Sequence, residues 1–292
     1  MQTANDGRPQ AMIAMSGGVD SSVAAYLMQQ TGYDCMGVTM KLYENEDAGV
    51  PRGHTCCALD DVEDARRVAY ALGMPYYVFN YKDAFREQVM ARFAAAYQRG
   101  ATPNPCLDCN RYLKFGLLES RARALGCEVL ATGHYARIEQ LPDGRYTLRK
   151  AVDASKDQSY VLAWLTQEQL VHTRFPLGGL HKTEAREIAE AHGFCNAHKH
   201  DSQDICFVQD GDYAAAVERL TGAHSEPGRF VDTQGKVLGT HRGIIHYTIG
   251  QRRGLGIAAE APLYVCGIDV PNNEVVLGRN EELFSTELDA SG

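Results

Sequence analysis

The chain has 292 residues, enough for a sizeable core and, at about 150 residues per domain, for two domains. A formal net charge of -8 excludes a protein that grips nucleic acid through an overall basic field, although a local basic face remains open. The first ten residues, MQTANDGRPQ, lack an apolar stretch and read as a cytoplasmic terminus rather than a secretion signal, and nothing in the sequence spans a membrane.

In chain order, Ile13 to Met15 reads as a strand, Ser21 to Gln30 as a helix stopped by Gly32, Met36 to Leu42 as a strand, and Asp60 to Leu72 as a helix stopped by Gly73. Tyr76 to Tyr81 reads as a strand, Ala84 to Gln98 and Arg111 to Leu125 as helices, and Val129 to Thr132 as a further strand. Strands separated by helices in this way make a doubly wound parallel α/β sheet. From Arg137 to Lys150 a hairpin is expected, turned by Pro142-Asp143-Gly144, followed by helices at about Gln167 to His172 and Thr183 to His192. Beyond Pro227 the chain is glycine-studded and β-like, with turns at 232 to 235 and 271 to 273. The expected organisation is a catalytic domain over 1–165, to which 198–210 returns, a smaller mixed or β-rich domain over 166–280, and a short remainder over 281–292.

The run Ser16-Gly-Gly-Val-Asp-Ser-Ser22 joins a strand to a helix. Unpaired N–H groups and the positive end of the helix dipole meet there, which favours an anion; the glycines allow phosphate to approach and the serine hydroxyls add donors. A Walker-type loop would end in Gly-Lys-Ser/Thr, and this one has no lysine. Asp20 would be repelled by bare phosphate but suits a Mg²⁺ ion bridging to it.

This loop resembles that of the ATP pyrophosphatases, which cleave ATP between the α and β phosphates and adenylate a carbonyl oxygen. The resemblance implies an adenine nucleotide alpha-hydrolase-like fold. Alone, it leaves amide-forming ligases and RNA-thiolating enzymes equally open.

Nine cysteines, at 35, 56, 57, 106, 109, 127, 195, 206 and 266, narrow the field. In a reducing compartment, thiols at such spacings are more often catalytic or metal-binding than structural. Thr102-Pro-Asn-Pro-Cys106-Leu-Asp-Cys109 places a Cys-x-x-Cys where a helix is about to begin, a position at which the dipole lowers a thiol pKa. Cys35, Cys127, Cys195 and Cys266 lie in apolar or small-residue contexts and read as packing residues; Cys56-Cys57 is too weak a signal to assign.

With Met40, Ala131-Thr-Gly-His-Tyr135, Lys156-Asp-Gln-Ser-Tyr160, Asp201 to Phe207 and His246-Tyr-Thr-Ile-Gly-Gln-Arg-Arg-Gly-Leu-Gly256, these segments resemble the tRNA-specific 2-thiouridylases from residue 11 to about 280. The resemblance implies that Ala14, Met15, Ser16, Gly17, Gly18, Val19, Asp20 and Ser21 hold the ATP phosphates, with Met40 and Gly133 against the adenosine portion. It implies that Cys206 receives a persulfide sulfur from a donor protein and that Cys109 is its catalytic partner. Asn104, Pro105 and Cys106 would surround the target base, and His134, Lys156, Asp157 and Gln158 would contact tRNA. Read without the resemblance, Lys156-Asp-Gln is an ordinary helix start capped by Asp157, and His134 a structural histidine. The basic runs Arg111, Lys114, Arg121, Arg123 and Arg242, Arg252, Arg253 are, by charge alone, solvated surfaces.

The chain departs from the family pattern at two places. Cys106 stands where many relatives carry aspartate, so Cys106, Cys109 and Cys206 raise a [4Fe-4S] cluster with an open iron as the alternative to a persulfide and a transient Cys109–Cys206 disulfide. The sequence also stops at Leu288 to Gly292, about where relatives continue into a C-terminal β-barrel that helps hold tRNA, so a truncated chain or a weaker grip is expected. The expectation is a monomeric cytoplasmic enzyme using ATP, Mg²⁺, a persulfide donor and tRNA. Its rivals are an amide-forming ATP pyrophosphatase acting on a small carboxylate, and a non-catalytic thiol or cluster module that binds RNA.

Overall fold

The computed structural model describes residues 7–44, 57–201, 205–208 and 211–284. They divide into two compact units. One holds the described residues up to Gln88 and from Cys106 to Asp201, and the other holds Val89–Pro105 and the described residues from Ile205 onward.

The first unit is built on β1 (Gln10–Ala14), α1 (Val19–Gln30), β2 (Asp34–Lys41), α2 (Cys57–Ala71), β3 (Tyr76–Asn80) and the short α3 (Lys82–Phe85). After the excursion into the second unit, where α4 (Ala91–Gln98) lies, it resumes with α5 (Pro105–Asp108), a π-helix over Cys109–Leu118, α6 (Glu119–Ala124) and β4 (Val129–Thr132). The hairpin β5 (Ala136–Gln140) and β6 (Tyr146–Lys150) follows, then a 3₁₀ turn over Ser159–Leu162, α7 (Gln167–Val171), β7 (Thr173–Arg174) and α8 (Lys182–Ala191). Five parallel strands stand in the order β3-β2-β1-β4-β7. β1 is central, and Ala11, Met12 and Ile13 are fully buried, as a strand covered on both faces requires.

Alternation along β1 assigns its side chains to opposite cores. Ala11 and Ile13 pack with Val23 of α1, Val68 of α2 and Ala185 and Ala189 of α8. Met12 packs on the other face with Phe115, Leu118, Ala122 and Val161. A side chain such as Ile13 contributes on the order of 1.5–3 kcal/mol by burial, and a one-residue slip of β1 would exchange the two faces. Between β1 and β4 the strand order reverses direction, and in open parallel sheets the crevice beyond the carboxyl ends at that point is where ligands bind.

The second unit adds α9 (Tyr213–Thr221) and a four-stranded sheet of β8 (Gly228–Asp232), β9 (Val237–His241), β10 (Tyr264–Asp269) and β11 (Glu274–Gly278), ordered β10-β11-β8-β9. β8 and β11 are parallel and the other pairs antiparallel, around a small core of Phe230, Tyr247, Val265, Val275 and Leu277. Helices α4 and α9 meet through Tyr97 stacked on Tyr213, and Phe93 stands edge-on to the buried Phe207.

Most expected elements are present with ends moved by one to three residues. The helices expected over 84–98 and 111–125 are each interrupted by π-helical segments, Arg86–Met90 and Cys109–Leu118; the second begins early, with Pro105 at a first-turn position where its missing N–H costs nothing. α9 was not foreseen, although Asp212 accepts from Ala215 N–H at its start and Gly222, at φ 69°, closes it. Residues 166–197, assigned from sequence to the second domain, lie in the first unit, because β7 extends the parallel sheet and α8 packs on α1. Asp157 does not cap a helix: it accepts from Ala151 N–H at 2.8 Å and from the Ser159 hydroxyl at 2.7 Å, and Gln158 occupies the N-cap position.

Candidate active site

The loop from Met15 to Gly18 leaves β1 at the carboxyl edge of the sheet, at the strand-order reversal. Met15 N–H still donates to Val38 of β2 at 2.8 Å, so the chain turns only after that residue. Gly17 has φ 80°, and a Cβ there would lie 2.2 Å from the Asp61 carbonyl oxygen, so this position is closed to any other residue. A Cβ on Gly133, just beyond β4, would lie 2.8 Å from Ser21 N, so the β4 end is pressed against the first turn of α1.

Gly18 is the N-cap of α1 and no side chain caps that terminus. Ser21 Oγ accepts from Ser16 N–H at 3.1 Å and donates to the Gly18 carbonyl at 3.0 Å, which the Ser22 hydroxyl also reaches at 3.1 Å. The hydroxyls thus rigidify the loop and leave the α1 N-terminus as an anion cradle. ATP phosphates fit such a cradle. Ala14 ends β1, Met40 is half-buried near the end of β2, and Gly133 directly follows β4; β2 and β4 are the two strands that adjoin β1.

The missing lysine comes from elsewhere. Lys182, the first residue of α8 and only 12% exposed at its side chain, donates to both Asp20 carboxylate oxygens at 2.7 and 2.8 Å and sits 2.8 Å from Asp201 Oδ1. Tyr135 donates its hydroxyl to Asp20 Oδ1 at 3.0 Å. Asp201 also receives Lys156 at 2.8 Å and Arg186 at 3.0 Å. Burial pushes the Asp201 carboxyl up, but the Lys156 and Lys182 hydrogen bonds overcome it and hold the carboxyl at about 2. Asp20 is therefore ion-paired in this structure, and holding Mg²⁺ would require it to exchange Lys182 for the metal.

Cys106 is exposed on α5 and Cys109 partly exposed at the start of the π-helix, both in the first unit, with Asn104 and Pro105 ending the Val89–Pro105 stretch of the second. Cys206 is exposed in the second unit beside the buried Phe207. The expected lowering of the Cys109 pKa is not seen. Burial raises it, with Lys114 opposing, because the residue lies several positions inside a continuous helix rather than at its first N–H groups. Cys35 and Cys127 are packing residues, pushed by burial to about 12 and about 11. Cys195 is not: it is exposed, its thiol 3.8 Å from the Asp64 carboxylate. Cys56, and Ser202 to Asp204 of the Asp201–Phe207 run, lie outside the described residues. Among the described residues no group of three or more His, Cys, Asp or Glu side chains is placed to hold a metal ion.

The chain matches the tRNA methyl transferase HUP domain over residues 9–210 and the tRNA methyl transferase PRC-barrel domain over residues 219–279. It is 52% identical to the tRNA-specific 2-thiouridylase MnmA of Lachnoclostridium phytofermentans, over 96% of this chain and 79% of that one. It is also 52% identical to the protein of that name from Clostridioides difficile, over 95% and 77%. The chain belongs to the tRNA-specific 2-thiouridylase family. A solved 4-thiouridine synthetase–RNA complex with bound ATP is also similar, at 20% identity and a TM-score of 0.40, covering 73% of this chain and 52% of that one.

Within this thiouridylase-family chain, the residues expected to meet tRNA divide. Lys156 and Gln158 are partly exposed, Gln158 fixed by accepting from Tyr135 N–H at 3.0 Å. His134 is buried between Phe115 and Phe175, its Nδ1 2.6 Å from the Thr132 hydroxyl; burial and Lys114 hold its pKa well below the usual range, so the ring is neutral. Sequence reasoning missed Tyr135, Lys182, Arg186, Asn196 and Lys199. Asn196, 2% exposed, donates to the Gly17 carbonyl and to Ser22 Oγ, both at 2.9 Å, and Lys199 ties the loop to Asp61 and Asp64. Only Lys182 left a trace: a cation in the first turn of a helix opposes the dipole and implies an anion from elsewhere.

Proposed function

We propose that the chain is an ATP-dependent sulfurtransferase that replaces the C2 oxygen of the wobble uridine of tRNA with sulfur. The observation that carries this reading is the uncapped, glycine-lined α1 N-terminus at the switch point, served by Lys182, in a chain that also presents Cys106, Cys109 and Cys206. The cradle and Lys182 would bind the ATP phosphates, Asp20 would be the residue to hold Mg²⁺, which would supply charge neutralisation at the phosphates, and Met40 and Gly133 would border the adenosine. The uridine O2 attacks the α-phosphate and pyrophosphate leaves, which converts a poor oxide leaving group into AMP.

Cys206 then delivers persulfide sulfur received from a donor protein in the cytoplasm. Either the terminal sulfur attacks C2, AMP leaves, and Cys109 then attacks Cys206 Sγ to break the S–S bond and free the thiocarbonyl, or Cys109 attacks Cys206 Sγ first and the hydrosulfide so released attacks C2 with loss of AMP. Both routes leave a Cys109–Cys206 disulfide, which a thiol reductant must reduce before the next turnover. Asn104, Pro105 and Cys106 border the base, which must leave the anticodon-loop stack to be reached, and Lys156 to Gln158 contact the RNA. The working enzyme is a monomer. Its relatives' name favours a thiouridylase over an amide-forming ligase, for which the cysteines would have no use.

Mass spectrometry of nucleosides from tRNA incubated with the protein, ATP and a persulfide source tests the reading. 2-Thiouridine at the wobble position is expected for the unaltered chain, and none for Cys109→Ser or Cys206→Ser, with ATP binding retained in both. Full thiolation by both variants would overturn the assignment of roles.

A further inference from the structure

Trp164, the one tryptophan of the chain, is 55% exposed just past the 3₁₀ turn Ser159–Leu162, and Tyr160 on that turn is 63% exposed. Tryptophan is highly buried on average, so its display here has a cost that packing does not explain. The Arg111 guanidinium carbon stands 4.4 Å from the Trp164 ring centroid and 5.2 Å from that of Tyr112. Among the described residues neither Arg111 nor Lys114 has a carboxylate partner within ion-pair distance.

The mounting is rigid from beneath. Asn110, 3% exposed, donates from Nδ2 to the Val161 carbonyl at 3.1 Å, and Val161 and Leu162 are buried with Phe115 and Leu118. The π-helix that carries Arg111 is thus pinned to the turn that carries Tyr160 and Trp164. Two residues before Arg111 is Cys109, and immediately before the turn is Lys156-Asp-Gln158.

We propose that Arg111 and Trp164, flanked by Tyr160, form a stacking platform for the unpaired bases that neighbour the base being thiolated. The proposal rests on the reading of the chain as an RNA-thiolating enzyme and deepens it. Loop bases splayed out of a helix stack on aromatic and guanidinium planes whatever their identity, and the Arg111 guanidinium over Trp164 adds a positive charge that suits the phosphates between them. A docking protein would also meet exposed aromatics, but the positive charge of Arg111 on the platform favours a polyanion.

The test uses the full chain and a synthetic tRNA anticodon stem–loop. Because Trp164 is the sole tryptophan, its fluorescence reports on this locus alone, and it is expected to be quenched as the RNA binds. Trp164→Ala should weaken RNA binding by roughly 5- to 150-fold, the range for loss of one stacked base, while Trp164→Phe recovers most of it. Arg111→Ala should lower the slope of log affinity against log salt by about one. ATP affinity, read in parallel, reports on the fold. Unchanged RNA affinity in Trp164→Ala would overturn the proposal, as would a defect confined to sulfur transfer from a persulfide-bearing protein, which would mark the surface as a protein dock. Failure of the unaltered chain to bind the stem–loop while still binding ATP would instead fell the RNA reading, and this inference with it.

Discussion

Replacing Lys182 by methionine removes the cation shared by Asp20 and Asp201 while keeping most of the buried alkyl volume. The drop of the Asp201 pKa from 3.8 to about 2 is held by Lys156 and Lys182 against the opposing effect of burial. That drop corresponds to roughly 2.4 kcal/mol of stability at neutral pH, net of burial, of which Lys182, sharing Asp201 with Lys156 and Arg186, supplies on the order of 1 kcal/mol. Because the folded pKa is depressed, this stability is fully present above the unfolded value and is lost as pH falls from 3.8 towards about 2. Urea unfolding followed by circular dichroism should therefore show Lys182→Met less stable by about 1–2 kcal/mol at pH 7, with the Asp201 contribution to that gap reduced by about a quarter at pH 3. A double-mutant cycle with Asp201→Asn should return a coupling of about 1 kcal/mol at neutral pH. The same variant should bind ATP at least about 10-fold more weakly, the loss of one charge-assisted hydrogen bond to phosphate. A stability gap that does not change between pH 7 and pH 3, or unaltered ATP affinity, would refute the reasoning.

Gly17→Ala combines φ 80° with a Cβ 2.2 Å from the Asp61 carbonyl oxygen. The left-handed backbone alone costs about 1–2 kcal/mol, and relieving the clash must move either α2 or the loop, so a lowered Tm with ATP binding lost is expected; a variant that binds ATP normally would show that the loop does not hold it. For Cys109, burial raises the thiol pKa and Lys114 lowers it. If its thiolate acts, single-turnover thiolation should climb with pH across the upper thiol range, and Lys114→Gln should move that climb to higher pH, whereas coincident profiles would remove Cys109 as the titrating nucleophile.

Much of the first unit was legible because its cues are local. Ala11 to Ile13 form an unbroken apolar run that only a strand covered on both faces can use, Gly32 and Gly73 stop helices, and Ser-Gly-Gly at a strand-to-helix junction leaves N–H groups aimed at an anion. Asp212 and Gly222 were equally local signals for α9 and went unread. The π-helical register of Cys109–Leu118 was not legible, since the apolar positions of this segment suit a helix of either winding and tertiary packing selects between them. Nor was the burial of His134, which depends on Phe115 and Phe175 closing over it from two other elements.

What the sequence determined by itself is the parallel sheet, the glycine loop without a lysine and the Cys-x-x-Cys at a helix start, each written in residues that are close neighbours along the chain. What only the tertiary structure decided is the charge of the site. Lys182 reaches Asp20 across 162 positions and Asn196 reaches Gly17 across 179, because α8 and the loop after it fold back onto α1 at the reversal of strand order. No spacing rule spans such separations. The loop lacks a lysine in sequence and has one in space.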